Sequence, residues 1–106
     1  MAWLYLLTAG ILEVGFAISL KESHGFSRLW PSLGVLAFGG ASFLLLSLAL
    51  RSLPIGSAYA VWTGIGAAGT ALVGVILLGE SGNALKALSI AAIVAGVVGL
   101  RLTGSE

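Results

Sequence analysis

Cysteine is absent from the 106 residues, so neither a disulfide framework nor a thiolate metal site is available. The single histidine, His24, falls in a loop and reads as a solvated or headgroup-level side chain. Charge is scarce too: 8% of the chain is charged, where a soluble domain carries about a quarter. That scarcity excludes an ordinary soluble fold, and a formal net charge of +1 leaves no reason to expect a nucleic-acid partner. Lysine and arginine fall only between the long apolar stretches or in their end turns. What the chain has instead is hydrophobic residues, 58% of the total, and sixteen glycines.

Those residues fall into four apolar runs of about 20 residues, each long enough as a helix to cross a hydrocarbon core of roughly 30 Å. The spacing predicts an all-α membrane protein, one domain over 1–106, with transmembrane helices at about 2–20, 29–50, 55–78 and 84–101. The breaks "KESHGFSR", "RSLP" and "GESGN" are short, so neighbouring helices run antiparallel. Pro31 sits in the first turn of the second helix, where proline is tolerated. A cleaved signal peptide is rejected for the first run despite "AIS" at 17–19, because no basic region precedes it, a glutamate interrupts it and three further spans follow. The string "GIGAAG" at 64–69 matches a dinucleotide fingerprint in letters only. It lies inside an apolar helix without the strand the fingerprint requires, so its glycines read as close-packing and bending points, chiefly Gly64 and Gly66.

Loop charges carry almost no instruction about orientation. One face holds Lys21, Arg28 and Lys86, and the other holds Arg51, Arg101 and the terminal amine. Without a bias for the positive-inside rule to read, insertion in both directions follows. Four helices are also too few to enclose a sizeable cavity. In the fourth, Ala92 with Gly96 and Ala95 with Gly99 form the small-xxx-small pairs that bring helices together in lipid. An antiparallel, dual-topology homodimer with Ala92, Ala95, Gly96 and Gly99 at its contact satisfies both observations.

The first run also contains Glu13, within "AGILEVGFA". A charge at that depth costs roughly 2.5 to 3.5 kcal/mol on the insertion scale, and no basic residue at the same depth offsets it. A proton, or a cation arriving from outside, must therefore neutralise it: one acid with two mutually exclusive occupants, the logic of a coupled exporter. Helical spacing puts Leu6, Ala9, Gly10, Phe16, Ala17 and Leu20 on or beside the Glu13 face. Tyr59, Trp62, Gly66 and Thr70 make an aromatic and polar stripe on the third helix, and Ser42 puts a hydroxyl at mid-depth in the second. Such phenol, indole and hydroxyl groups are the donors that can hold a buried carboxylate. Gly10 and Thr63 complete the expected lining. Trp3, Tyr5 and Trp30 read as anchors at the membrane boundary.

Through "AGILEVGFAISLK", "HGFSRLWPS", "LPIGSAYAVWTGIGA" and "LLGES" the chain resembles the small multidrug resistance family over essentially its whole length. The run "AYAVWTGIGA" followed by "GVILLGES" is similar to the guanidinium-exporting subtype. The resemblance implies a proton-coupled antiporter of guanidinium or small guanidinyl cations in the bacterial inner membrane, with no cofactor, metal or catalytic residue. It implies a dimer in which Glu13 of both subunits binds either protons or one cation, while Ser42 and Trp62 hydrogen-bond the glutamates and Tyr59 lines the site. It also implies a third helix bent near Gly64 and Gly66, and a dimer contact made largely by the fourth. Phe16 departs from the subtype, which generally carries tryptophan there, and "RLWPS" is similar to the drug-exporting branch. Export of lipophilic quaternary ammonium cations is the alternative, and a non-transporting membrane subunit that docks a partner's basic helix through Glu13 is a third reading.

Overall fold

The computed structural model describes residues 1–103. Four helices follow one another: α1 (Ala2–Glu22), α2 (Leu29–Ala49), α3 (Ile55–Leu77) and α4 (Ala84–Leu102). There is no strand among the described residues. Each helix is long and apolar enough to cross a membrane. A 21-residue helix such as α1 is about 31 Å long, which matches the hydrocarbon core.

The turns between helices follow from local chemistry. After α1, the buried Ser23 donates from its hydroxyl to the Leu20 carbonyl (2.7 Å) and accepts from the Phe26 amide (3.1 Å). Three successive residues there, His24, Gly25 and Phe26, have φ of 47°, 72° and 66°. The left-handed region is costly for the two that carry a Cβ, and the Ser23 bonds hold them in it. Pro54 caps α3 in extended conformation, and Gly79 (φ 73°) reverses the chain after it, so the Glu80 amide bonds back to the Gly74 carbonyl (3.0 Å). Asn83 caps α4 by accepting from the Lys86 amide (2.8 Å).

Packing orders the helices as α2, α1, α3, α4, with α2 and α3 barely touching. The molecule measures 41 × 34 × 17 Å, and the short dimension is not much more than one helix with its side chains, about 10 to 12 Å. It is therefore nearly a single row of helices. Its core gathers at one end, where the first half of α1 meets the last half of α2 and the first half of α3: Leu6, Ala9, Leu46, Ala49, Leu53, Ala58, Val61 and Trp62. Arg101, at the end of α4, stacks over Trp3 at the same end, 4.8 Å from the ring centroid. Beyond Gly10, α1 buries no residue completely, and α4 buries none along its whole length.

Candidate functional site

Glu13 lies about 16 Å along α1, halfway through a membrane-length helix. Its side chain crosses to α3, where Gly66 leaves room for it: a Cβ at position 66 would collide with the carboxylate. Close approach therefore requires glycine here, as it does at Gly39, where a Cβ would stand 2.9 Å from the Phe16 ring. One carboxylate oxygen, Oε1, is sealed from solvent and accepts no hydrogen bond from any described residue. Both ion pairs among the described residues, Arg28 with Glu22 and Lys86 with Glu80, lie in the loops and at helix ends, away from Glu13.

From Glu13 a cleft of about 610 Å³ runs between α1 and α3 toward the end of the molecule away from the core. Phe16 and Ala17 form its α1 wall, and Thr63, Gly66 and Thr70 its α3 wall. Lys21 and Glu80 stand at its mouth. The lining is mostly apolar, with hydroxyls at Thr63 and Thr70, and it suits a small cation that needs an apolar wall and a few oxygens.

The other expected site residues lie behind this cleft. Trp62, almost wholly buried, donates its indole N–H to Ser42 Oγ (2.9 Å), and Ser42 donates to the Ala9 carbonyl (2.7 Å). In the α1 helix that carbonyl is also the acceptor for the Glu13 amide four residues on. The pair thus fixes the turn of backbone that carries Glu13, and within this chain neither side chain donates to the carboxylate. Tyr59, half-exposed, packs its ring 5.3 Å from that of Trp62, and Phe43 packs at 5.4 Å; neither is among the residues that line the cleft. Gly10 sits against Ile65, where a Cβ would come within 2.7 Å, and it too is outside the lining.

At Gly64 and Gly66 the α3 helix is continuous, and both glycines are places of close approach, Gly64 to Val97 of α4 and Gly66 to Glu13. Ala92, Ala95, Gly96 and Gly99 are exposed, and a Cβ at Gly96 or Gly99 would meet nothing within 4 Å. Lys21, Ala67, Ala71 and Glu80 are the lining residues that spacing did not point to. The only trace of Glu80 in the sequence is the fragment "LLGES", because what carries it to the cleft is the reversal at Gly79.

Fold and site together define a small multi-pass membrane protein built round one carboxylate at membrane depth. The chain belongs to the small multidrug resistance family: residues 1–93 match the family described as Small Multidrug Resistance protein. It is similar to proteins named guanidinium exporter. That of Yersinia pseudotuberculosis is 58% identical over 102 residues, 96% of this chain and 98% of the relative. That of Citrobacter freundii is 54% identical over 103 residues, 97% of this chain and 98% of the relative. A Salmonella typhimurium relative is 52% identical over 103 residues, with the same coverage. These relatives are bacterial and are named as exporters, not enzymes, and the place of the chain is the inner membrane.

Proposed function

We propose that the protein is a proton-coupled antiporter that exports guanidinium or small guanidinyl cations, acting as an antiparallel, dual-topology homodimer. The observation that carries this reading is the Glu13 carboxylate, with one oxygen buried and without a donor at the head of an open cleft. A carboxylate oxygen left so costs more than the 1 to 3 kcal/mol or so of a neutral group, and either a proton or a cation with N–H donors relieves it. Guanidinium suits the position because its planar fork can bond two oxygens at once. The names of the relatives support the same substrate class. When the cation loads, the Glu13 carboxyls of the two subunits give up their protons to that side, and when the cation leaves on the other side the carboxylates take protons there, so two protons against one cation move net charge. One Glu13 therefore cannot hold both at once, and the two flows are opposed.

The dimer is supported by the near-flat row of helices, by an α4 that buries nothing, and by the even distribution of lysine and arginine. As the chain has no cysteine, single cysteines introduced near its ends report orientation directly. Labelling from both sides of the membrane is expected, and labelling confined to one side removes the antiparallel dimer.

The test of function is current in proteoliposomes on addition of guanidinium, compared with a tetraalkylammonium ion. Guanidinium evokes the larger current, and Glu13→Gln, which keeps the size and removes the titratable group, abolishes it. Undiminished current from Glu13→Gln sinks the reading. One observation favours the quaternary ammonium alternative: Phe16 presents to the cleft an apolar edge and a π-face with no N–H donor. A larger current from the tetraalkylammonium ion selects that alternative.

A further inference from the structure

The α3 helix carries a regular series that starts in the cleft wall and runs on to the buried Gly74. Gly66, Thr70 and Gly74 lie four residues apart and so nearly above one another, about 6 Å per step. The Glu13 carboxylate rests on Gly66. The Glu80 carboxylate rests on Gly74, where a Cβ would come within 2.6 Å of Oε1. Thr70, between them, lines the same cleft. One face of α3 therefore presents a carboxylate, a hydroxyl and a second carboxylate along about 12 Å, from membrane depth to the mouth.

Glu80 is held in this place by backbone geometry. Gly79 turns the chain in the left-handed region, and the Glu80 amide is anchored to the Gly74 carbonyl. The charge of Glu80 is only loosely occupied. Lys86 Nζ stands 3.6 Å from it, with both side chains partly exposed, and Lys86 also donates to the Ser81 carbonyl (3.1 Å). An ion pair of that exposure is weak and exchangeable. A guanidinium ion, which can bond both carboxylate oxygens, competes well with a single ammonium.

We propose that Glu80 is an outer docking carboxylate for the transported cation, exchanging Lys86 for a guanidinium-type ion at the mouth of the cleft before the ion passes Thr70 to Glu13. The inference rests on the exporter reading above and names a specificity residue within it. Two lysines, Lys21 and Lys86, border this mouth, and among the described residues that line it Glu80 is the carboxylate that opposes them. Without its charge the mouth repels cations; with it, cations are concentrated where they load. A tetraalkylammonium ion has no N–H to exchange for that of Lys86, so the docking step favours N–H-bearing cations.

The test measures the KM for guanidinium and the maximal rate in proteoliposomes, at ionic strengths of about 0.01 M and about 1 M, where the Debye length is roughly 30 Å and 3 Å. In Glu80→Gln, KM at low salt rises about tenfold with the maximal rate unchanged, and the difference shrinks at high salt. Glu80→Asp recovers most of the loss, and Lys86→Gln lowers KM below that of the unaltered protein. An unchanged KM in Glu80→Gln, a change indifferent to salt, or a loss confined to the maximal rate overturns the proposal. Should Glu80→Gln fail to insert, Lys86→Gln decides alone: a KM no lower than that of the unaltered protein overturns it. Absence of guanidinium current from the unaltered protein overturns the exporter reading itself, whereas normal current with an indifferent Glu80→Gln overturns only the docking step.

Discussion

At the core end of the bundle, α1 meets its neighbours through Leu6 and Ala9, wholly buried, and through a hydrogen-bonded chain from Trp62 to Ser42 to the Ala9 carbonyl. At the opposite end the same helix faces α3 across a cleft, and what lies there is Glu13, Phe16, Thr70 and the charged mouth. The two ends are built from similar apolar sequence, yet one has its buried polar groups paired and the other leaves a carboxylate oxygen without a donor. The difference assigns stability to one end and chemistry to the other. A satisfied network in a low-dielectric interior fixes geometry, and an unsatisfied acid in the same medium demands an occupant. Because Ser42 bonds the carbonyl that also accepts from the Glu13 amide, the closed end sets the position of the open one.

Substitutions can break this comparison. The largest effect is expected at the open end, from Gly66→Ala, whose new Cβ collides with the Glu13 carboxylate and forces it aside. Guanidinium affinity measured by titration of the purified protein should fall about tenfold or more, a factor of ten being 1.4 kcal/mol. An affinity unaltered by Gly66→Ala would show that the carboxylate acts from some other position. Next comes the closed end: Ser42→Ala leaves the buried Trp62 N–H without its acceptor, at about 1 to 3 kcal/mol. Lower thermal stability in detergent is the readout, and unchanged stability would remove the network from the account.

The smallest effect sharpens the comparison instead of breaking it. Phe16 lies in the cleft and packs toward Gly39, so Phe16→Trp adds an N–H donor and narrows the wall. The ratio of guanidinium to tetraalkylammonium current should rise by several-fold, within the roughly 0.5 to 2 kcal/mol scale of a cation against an aromatic face. A constant ratio would make Phe16 a packing residue only.

Much of this was legible in the residues. Four spans stood out because apolar runs of membrane length alternate with short charged breaks, and bilayer thickness leaves little other choice. Glu13 stood out because no lysine or arginine at mid-membrane depth could pair with it. The division into two ends was not legible, since hydropathy is as high around Phe16 and Thr70 as around Leu6 and Val61. The partner of Ser42 was not legible either: a backbone carbonyl such as that of Ala9 has no signature in the sequence, whereas a side-chain partner does. Glu80 was hidden for a third reason. Its reach depends on the left-handed turn at Gly79, and a glycine in a polar loop marks a turn without saying where the next side chain lands.

The central claim is that one carboxylate holds a proton and a cation in alternation. The most direct test is the affinity of the purified protein for guanidinium across about pH 4 to 8, a range that begins close to the ordinary glutamate pKa near 4.3. Competition predicts that affinity rises with pH, by up to about tenfold per unit for each carboxyl still protonated, and levels off once they are ionised. An affinity that stays flat over the whole range contradicts the claim.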